Sequence, residues 1–212
     1  MIKRPSVVKK HCFTGHKDAI YALCALNDCE FVSGGADGHI VKWDTNRYAA
    51  GNVVAKVSTS VYSLSYDLLR NHLFIGQNFD GLHVIDLIAK REITSLQITK
   101  SSIFDIQFDA NFVYLASGDG AIYIVDRESW KLKKIINFSQ KSARSLQLDE
   151  YYIYAGYSDG YIRVIDKKNY KLSIYNNLLD SNKYLDNIEI NSFEKGIICL
   201  LYTSPSPRDR QK

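Results

Sequence analysis

Apolar residues in this chain fall into short runs separated by turn residues, and one run occurs four times. Ile20-Tyr21-Ala22-Leu23 is followed by Val61-Tyr62-Ser63-Leu64, Ile103-Phe104-Asp105-Ile106 and Ala143-Arg144-Ser145-Leu146. The intervals are about 40 residues. Asp-Gly pairs keep the same period at Asp37-Gly38, Asp80-Gly81, Asp119-Gly120 and Asp159-Gly160, and so do the run-closing acids Asp44, Asp86, Asp126 and Asp166. Each period reads as strand, turn, strand, Asp-Gly hairpin, strand, loop, strand. In the second period the runs are 61–66, 72–76, 82–86 and 92–98. Asp-Gly suits tight hairpins because Gly takes positive φ without steric cost and Asp tolerates it. Val113-Tyr114-Leu115 and Ile122-Tyr123-Ile124 are apolar on both faces, as strands sandwiched between neighbouring sheets would be.

The first period is the most complete. Residues 11–46 read HCFTGHKDAIYALCALNDCEFVSGGADGHIVKWDTN, opening on Gly15-His16 and closing on Trp43-Asp44. This resembles one repeat of the WD-repeat β-propeller family, in which four antiparallel strands make a blade. The resemblance implies an all-β propeller, present as about four and a half four-stranded blades of an expected seven. It spans a partial propeller at 1–198: a closing strand at 7–13, repeats at about 14–57, 58–98, 99–138 and 139–178, and an incomplete fifth at 179–198. On overall texture the chain resembles stand-alone WD-repeat proteins of bacteria. Residues 199–209, CLLYTSPSPRD, share no period with the repeats, and back-translated they resemble a transposon-end adaptor used in sequencing libraries. The expectation is that a reading frame ran into adaptor near residue 198, leaving 199–212 as a non-native or disordered tail.

In the first repeat the family pattern places His16, Ser33, Asp37 and Trp43 in one hydrogen-bonded tetrad. An imidazole offers a donor and an acceptor nitrogen, for which Ser and Asp are natural neighbours, and the indole N–H suits the Ser oxygen. The same His, Ser and Asp would suit a nucleophilic triad, but Ser33 falls inside a strand. The later repeats lack the Gly-His and Trp-Asp pairs, and Ile85, Val125 and Ile165 stand where Trp43 does. The second repeat has one residue fewer between its Asp-Gly and its closing Asp. Gly156-Tyr157-Ser158-Asp159-Gly160 fits a hydrolase nucleophile elbow in letters only, since a strand-like run follows it rather than a helix.

Composition changes this picture little. Aromatics at 12%, with Tyr 15 and Phe 9 against Met 1, favour strands over helices. Net charge is +4, half of it from Arg208–Lys212, so the electrostatic case for nucleic acid is weak. No run reaches the roughly 18 apolar residues of a membrane span. Cys12, Cys24, Cys29 and Cys199 fit neither a zinc pattern nor a disulfide framework, which points to a reduced, cytoplasmic setting. No metal or cofactor site emerges.

One column suits partner binding: Tyr21, Tyr62, Phe104 and Arg144, the second residue of each first strand, beside a polar loop. Aromatic and Arg side chains anchor interfaces, although packing between blades is the plainer reading of the three aromatics. The function implied by the resemblance is a non-catalytic scaffold that binds a protein or peptide on a propeller face. The alternatives are a propeller enzyme with a channel site, for which Asp105 is the one carboxylate in the inner column, and an RNA-associated scaffold.

Overall fold

The computed structural model describes residues 8–47 and 51–177, with 174–177 as backbone alone. The incomplete fifth repeat at 179–198 and the tail at 199–212 lie outside the described residues. Among the described residues every regular element is a strand, and the sixteen strands form four antiparallel sheets in chain order. Sheet 1 holds β1 Ile20–Ala25, β2 Glu30–Gly35, β3 His39–Asp44 and β4 Asn52–Lys56. Sheet 2 holds β5 Val61–Asp67, β6 His72–Gln77, β7 Leu82–Asp86 and β8 Arg91–Leu96. Sheet 3 holds β9 Ile103–Phe108, β10 Phe112–Ser117, β11 Ala121–Asp126 and β12 Leu132–Asn137. Sheet 4 holds β13 Ala143–Leu148, β14 Tyr152–Tyr157, β15 Tyr161–Asp166 and β16 Leu172–Asn177. The first strands β1, β5, β9 and β13 follow one another as neighbours, so the sheets stand face to face along an arc. This is the blade arrangement of a propeller.

Three apolar clusters fill the three joints between sheets. One joins Ala22, Val32 and Ile40 to Val61, Leu73 and Ile75. The second joins Phe74, Leu82 and Val84 to Ile103, Ile106, Val113 and Leu115. The third joins Tyr114, Ile122 and Ile124 to Ala143, Leu146, Ile153 and Tyr157. Sheets 2 and 3 thus bury both faces, which is why their strands read as apolar without clean alternation. The first face of sheet 1 has no sheet against it among the described residues. Val61, Ile103 and Ala143 are fully buried, whereas Ile20 at the same register is 49% exposed, and Leu23 is 67% exposed. Residues 8–13 form no strand. Instead Phe13 sets its ring 5.4 Å from Phe31 and 5.5 Å from Trp43, covering part of that face. The expected closing strand at 7–13 needs an outer sheet edge to pair with, and no described residues supply one.

Where a first strand crosses the preceding sheet, the pair of residues is matched in size. A Cβ added to Gly34 would lie 2.6 Å from Val61 Cγ1, and one added to Gly76 would lie 2.8 Å from Ile103 Cγ2. At the third joint Ala116 replaces the glycine and Ala143 replaces the β-branched residue. A second matched pair closes the far end of each joint. Between sheets 1 and 2 both positions are apolar, Leu26 and Leu87 of one cluster. Between sheets 2 and 3 it is a buried ion pair, Asp67 with Arg127. Between sheets 3 and 4 Lys167 Nζ lies 3.1 Å from Asp109 Oδ2.

The hairpins carry one departure from the reading of the sequence. Gly76 pairs with Leu82 just as Gly34 pairs with Ile40, so the second hairpin is the same length as the first. Its Asp-Gly is shifted by one position, and Phe79, with φ 69°, stands where the first hairpin has Asp37. The apparent loss of a residue is a shift of the dipeptide.

Candidate functional site

His16, Ser33, Asp37 and Trp43 come together in one chain of hydrogen bonds. Trp43 Nε1–H donates to Ser33 Oγ at 2.7 Å, and Ser33 Oγ lies 2.7 Å from His16 Nε2. His16 Nδ1 lies 3.0 Å from both Asp37 oxygens. The consistent assignment has the Ser33 hydroxyl donating to Nε2 and Nδ1–H donating to the carboxylate. Asp37 also accepts the backbone N–H of Lys17 at 3.0 Å and of His39 at 3.1 Å. Desolvation pushes its carboxyl up, but these N–H groups and the His16 ring outweigh it and hold it at about 2. The order Asp–His–Ser matches that of a hydrolytic triad. Ser33, however, is 1% exposed, and its oxygen is already capped by the indole. The geometry ties the loop before β1 to the β2–β3 hairpin and presents no nucleophile.

The other sheets make the same tie with other groups. Thr99 Oγ1 donates to Asp119 at 2.9 Å, and Tyr123 OH donates to the same oxygen at 2.7 Å. Ser139 Oγ donates to Asp159 Oδ2 at 3.4 Å, with Arg163 Nη2 at 2.8 Å from the same oxygen, and Ser58 donates to Asp80. Serines just before three of the first strands extend the rim from sheet to sheet. Ser60 donates to the Ala36 carbonyl at 3.5 Å, Ser102 to Asn78 Oδ1 at 2.6 Å, and Ser142 to the Gly118 carbonyl at 2.9 Å. Nothing in the sequence reading singled these out, although all three sit one residue before a repeated motif.

The column of Tyr21, Tyr62, Phe104 and Arg144 has a common structural cause. In each first strand the register with the second strand slips across this one residue: Ile20 pairs with Gly35 and Ala22 with Gly34, and the other three sheets repeat it. Each residue of the column is therefore the extra residue of a β-bulge, which turns its side chain out of the strand's alternation. The four side chains form one file across the arc. Tyr21 and Tyr62 stack with centroids 4.9 Å apart and planes 8° from parallel. Tyr62 meets Phe104 edge-on at 5.6 Å, and Arg144 Cζ lies 3.9 Å from the Phe104 ring centre. Tyr21 is 46% exposed, Tyr62 and Phe104 are half-buried, and Arg144 is exposed. Burial against Phe104 lowers the Arg144 pKa, with Tyr62 opposing.

Asp105, beside the column, is half-buried. Its carboxylate accepts the backbone N–H of Leu146 at 2.6 Å and of Ile106 at 2.8 Å. Desolvation raises its pKa against those bonds. It stands alone among the described residues of the inner column, with no second acid to share chemistry. No group of three or more His, Cys, Asp or Glu suited to a metal occurs among the described residues. A groove of about 880 Å³ opens elsewhere, between β3–β4 and β7–β8. Some of its charges pair across it: Lys42 with Glu30 at 2.6 Å and His83 with Glu92 at 3.0 Å.

The family model for the WD domain, G-beta repeat, matches residues 8–44. The ubiquitin fusion degradation protein 3 homolog of Caenorhabditis elegans is 36% identical over 56 residues, 26% of this chain. The match spans only 6% of that relative's length, and a nematode relative gives the bacterial resemblance no support. Among solved structures, the computationally designed Ika4 protein superposes with a TM-score of 0.64 at 25% identity, over 75% of this chain and 99% of Ika4. The computationally designed Ika8 protein gives a TM-score of 0.62 at 27% identity, over 72% of this chain and 47% of Ika8. The repeat matched at 8–44 is the one whose tetrad is complete, and the sheets that follow repeat its strand order. Residues 8–44 are thus similar to a WD repeat, and the four sheets share the blade arrangement of a β-propeller.

Proposed function

We propose that this chain is a non-catalytic scaffold that holds a protein or peptide partner on the rim formed by its bulged column. WD repeats generally serve protein interaction and typically carry no catalysis. One observation carries the finer reading: four sheets each spend a β-bulge to turn Tyr21, Tyr62, Phe104 or Arg144 onto the same rim. Rigid aromatic and Arg side chains offer large contact area at low entropic cost, and they are the usual anchors of interfaces. The nematode relative is named for the degradation of ubiquitin fusions, and with so short a match only the repeat as a binding module is carried over. The free thiols of Cys12, Cys24 and Cys29 fit a cytoplasmic setting.

The test is a displayed random-peptide library panned on the immobilised full chain. Enriched peptides should bind Tyr62→Ala about tenfold more weakly, a loss of about 1.4 kcal/mol. Enriched peptides indifferent to Tyr21→Ala, Tyr62→Ala and Phe104→Ala would overturn the rim as the binding face.

A further inference from the structure

We infer that the rim recognises an acidic peptide segment, with a side-chain carboxylate seated on the N–H edge of Arg144. This rests on the rim being the partner-binding face and names what that face takes. Charge is the first argument. Lys17, Lys100 and Lys141 stand exposed on the loops before β1, β9 and β13, with Arg144 on the last bulge. None of the four makes an ion pair among the described residues. The hairpin acids on the same rim are all engaged: Asp37 by His16, Asp80 by Ser58, Asp119 by Thr99 and Tyr123, and Asp159 by Arg163. These acids keep their charge, as does Asp18 beside Lys17, but donors already occupy them, whereas the four cations hold no acceptor among the described residues.

The guanidinium supplies the second argument. Arg144 lies over Phe104 by its face, which leaves its in-plane N–H groups pointing outward. None of them donates to another described residue, so a planar fork of donors waits for an acceptor. That fork matches a carboxylate through two parallel hydrogen bonds. Phe104 has already removed water from one side, so less hydration is lost when the carboxylate arrives.

The aromatic file also discriminates between two anionic partners. Nucleic-acid bases bind such columns by stacking on open ring faces. Here Tyr21 and Tyr62 each cover one face of the other, Tyr62 and Phe104 meet edge to face, and Arg144 lies over Phe104. Apart from the outer face of Tyr21, ring edges and the cation are what the file offers outward. Those suit the side chains of a peptide better than a run of bases.

The experiment is fluorescence anisotropy of the full chain with three labelled probes: a short peptide of alternating Glu and Ala, its Gln counterpart, and an oligouridylate. The Glu peptide should bind, with the Gln peptide at least about tenfold weaker, and binding should weaken as salt rises. Arg144→Gln should lose about the same factor, and Arg144→Lys should recover only part of it, because an ammonium cannot form the fork. The double variant Lys100→Gln, Lys141→Gln changes only exposed side chains and should weaken binding a few-fold without disturbing the fold. Equal binding of Glu and Gln peptides, or no effect of Arg144→Gln, overturns the acidic preference. The scaffold reading would survive that result if Tyr62→Ala still released the library peptides. Tighter binding of oligouridylate than of the Glu peptide overturns the inference in favour of nucleic acid. Failure of all three probes overturns it outright.

Discussion

Replacing Arg127 by Leu should destabilise the joint between sheets 2 and 3 by about 3 kcal/mol or more. Arg127 and Asp67 are each 4% exposed, so neither charge keeps much water. With the guanidinium gone, the Asp67 carboxylate retains only the backbone N–H groups of Leu69 at 2.9 Å and Arg70 at 3.4 Å. Asp67→Leu strands the guanidinium against Phe74, Phe108 and the Asp109 carbonyl. It also removes the turn bond to Leu69, so its cost is about 3–5 kcal/mol plus about 1 more. The double variant D67L/R127L leaves no charge behind and recreates the two apolar positions, Leu26 and Leu87, of the first joint. Its cost should be no more than about 2 kcal/mol, mostly the lost turn bond. Urea melts followed through Trp130, whose ring lies 6.4 Å from Phe74, would measure the cycle. An additive double variant, at about 6 kcal/mol or beyond, would refute the argument that stranded charge sets the cost. So would single variants costing under about 1 kcal/mol, because a solvated pair behaves that way.

Three further outcomes are expected. Gly76→Ala should destabilise by about 1–3 kcal/mol through overpacking, since its methyl would press on Ser63 Oγ and Ile103 Cγ2; thermal melts decide it, and an unchanged melting temperature would contradict the close fit. Asp37 lies below its ordinary 3.8, at about 2, so its contribution is complete above 3.8 and is lost as the pH falls through about 2. Asp37→Asn should remove that segment of the acid limb, and a stability profile unchanged between the two proteins would contradict the shift. A serine-directed fluorophosphonate should leave Ser33 unlabelled in the folded chain, and labelling read by mass spectrometry would reopen a nucleophilic role.

The four-fold arrangement was legible because three independent markers kept one period. The tetrad was legible through the resemblance of the first repeat to the family pattern, which carried the roles onto His16, Ser33, Asp37 and Trp43. The bulge was not. In sequence Tyr21 simply occupies the second place of a strand, and only the slip between Ile20–Gly35 and Ala22–Gly34 shows why it leaves the alternation. The joint Asp67–Arg127 was missed because its partners lie 60 residues apart and belong to different repeats. Laying the repeats over one another would have exposed it: Leu26, Asp67 and Asp109 share one register, and Leu87, Arg127 and Lys167 share the other. Of the expected closing strand at 7–13, residues 8–13 take no strand, for a different reason. Pairing is a property of two edges, and a single run of residues cannot specify it.

The size-matched crossings have a consequence for how such a chain can be rearranged. Gly34 fits Val61, Gly76 fits Ile103 and Ala116 fits Ala143, and each fit spans two sheets. A whole sheet moved to a new place would carry half of two fits and break both. Put after sheet 3, the strand bearing Ile103 would drive a branched side chain into the methyl of Ala116. A segment running from the second strand of one sheet through the first strand of the next carries its fit intact. The transferable module of this protein is therefore offset by one strand from the sheets themselves, and grafts or chimaeras cut at sheet boundaries would sever what holds neighbouring sheets in step.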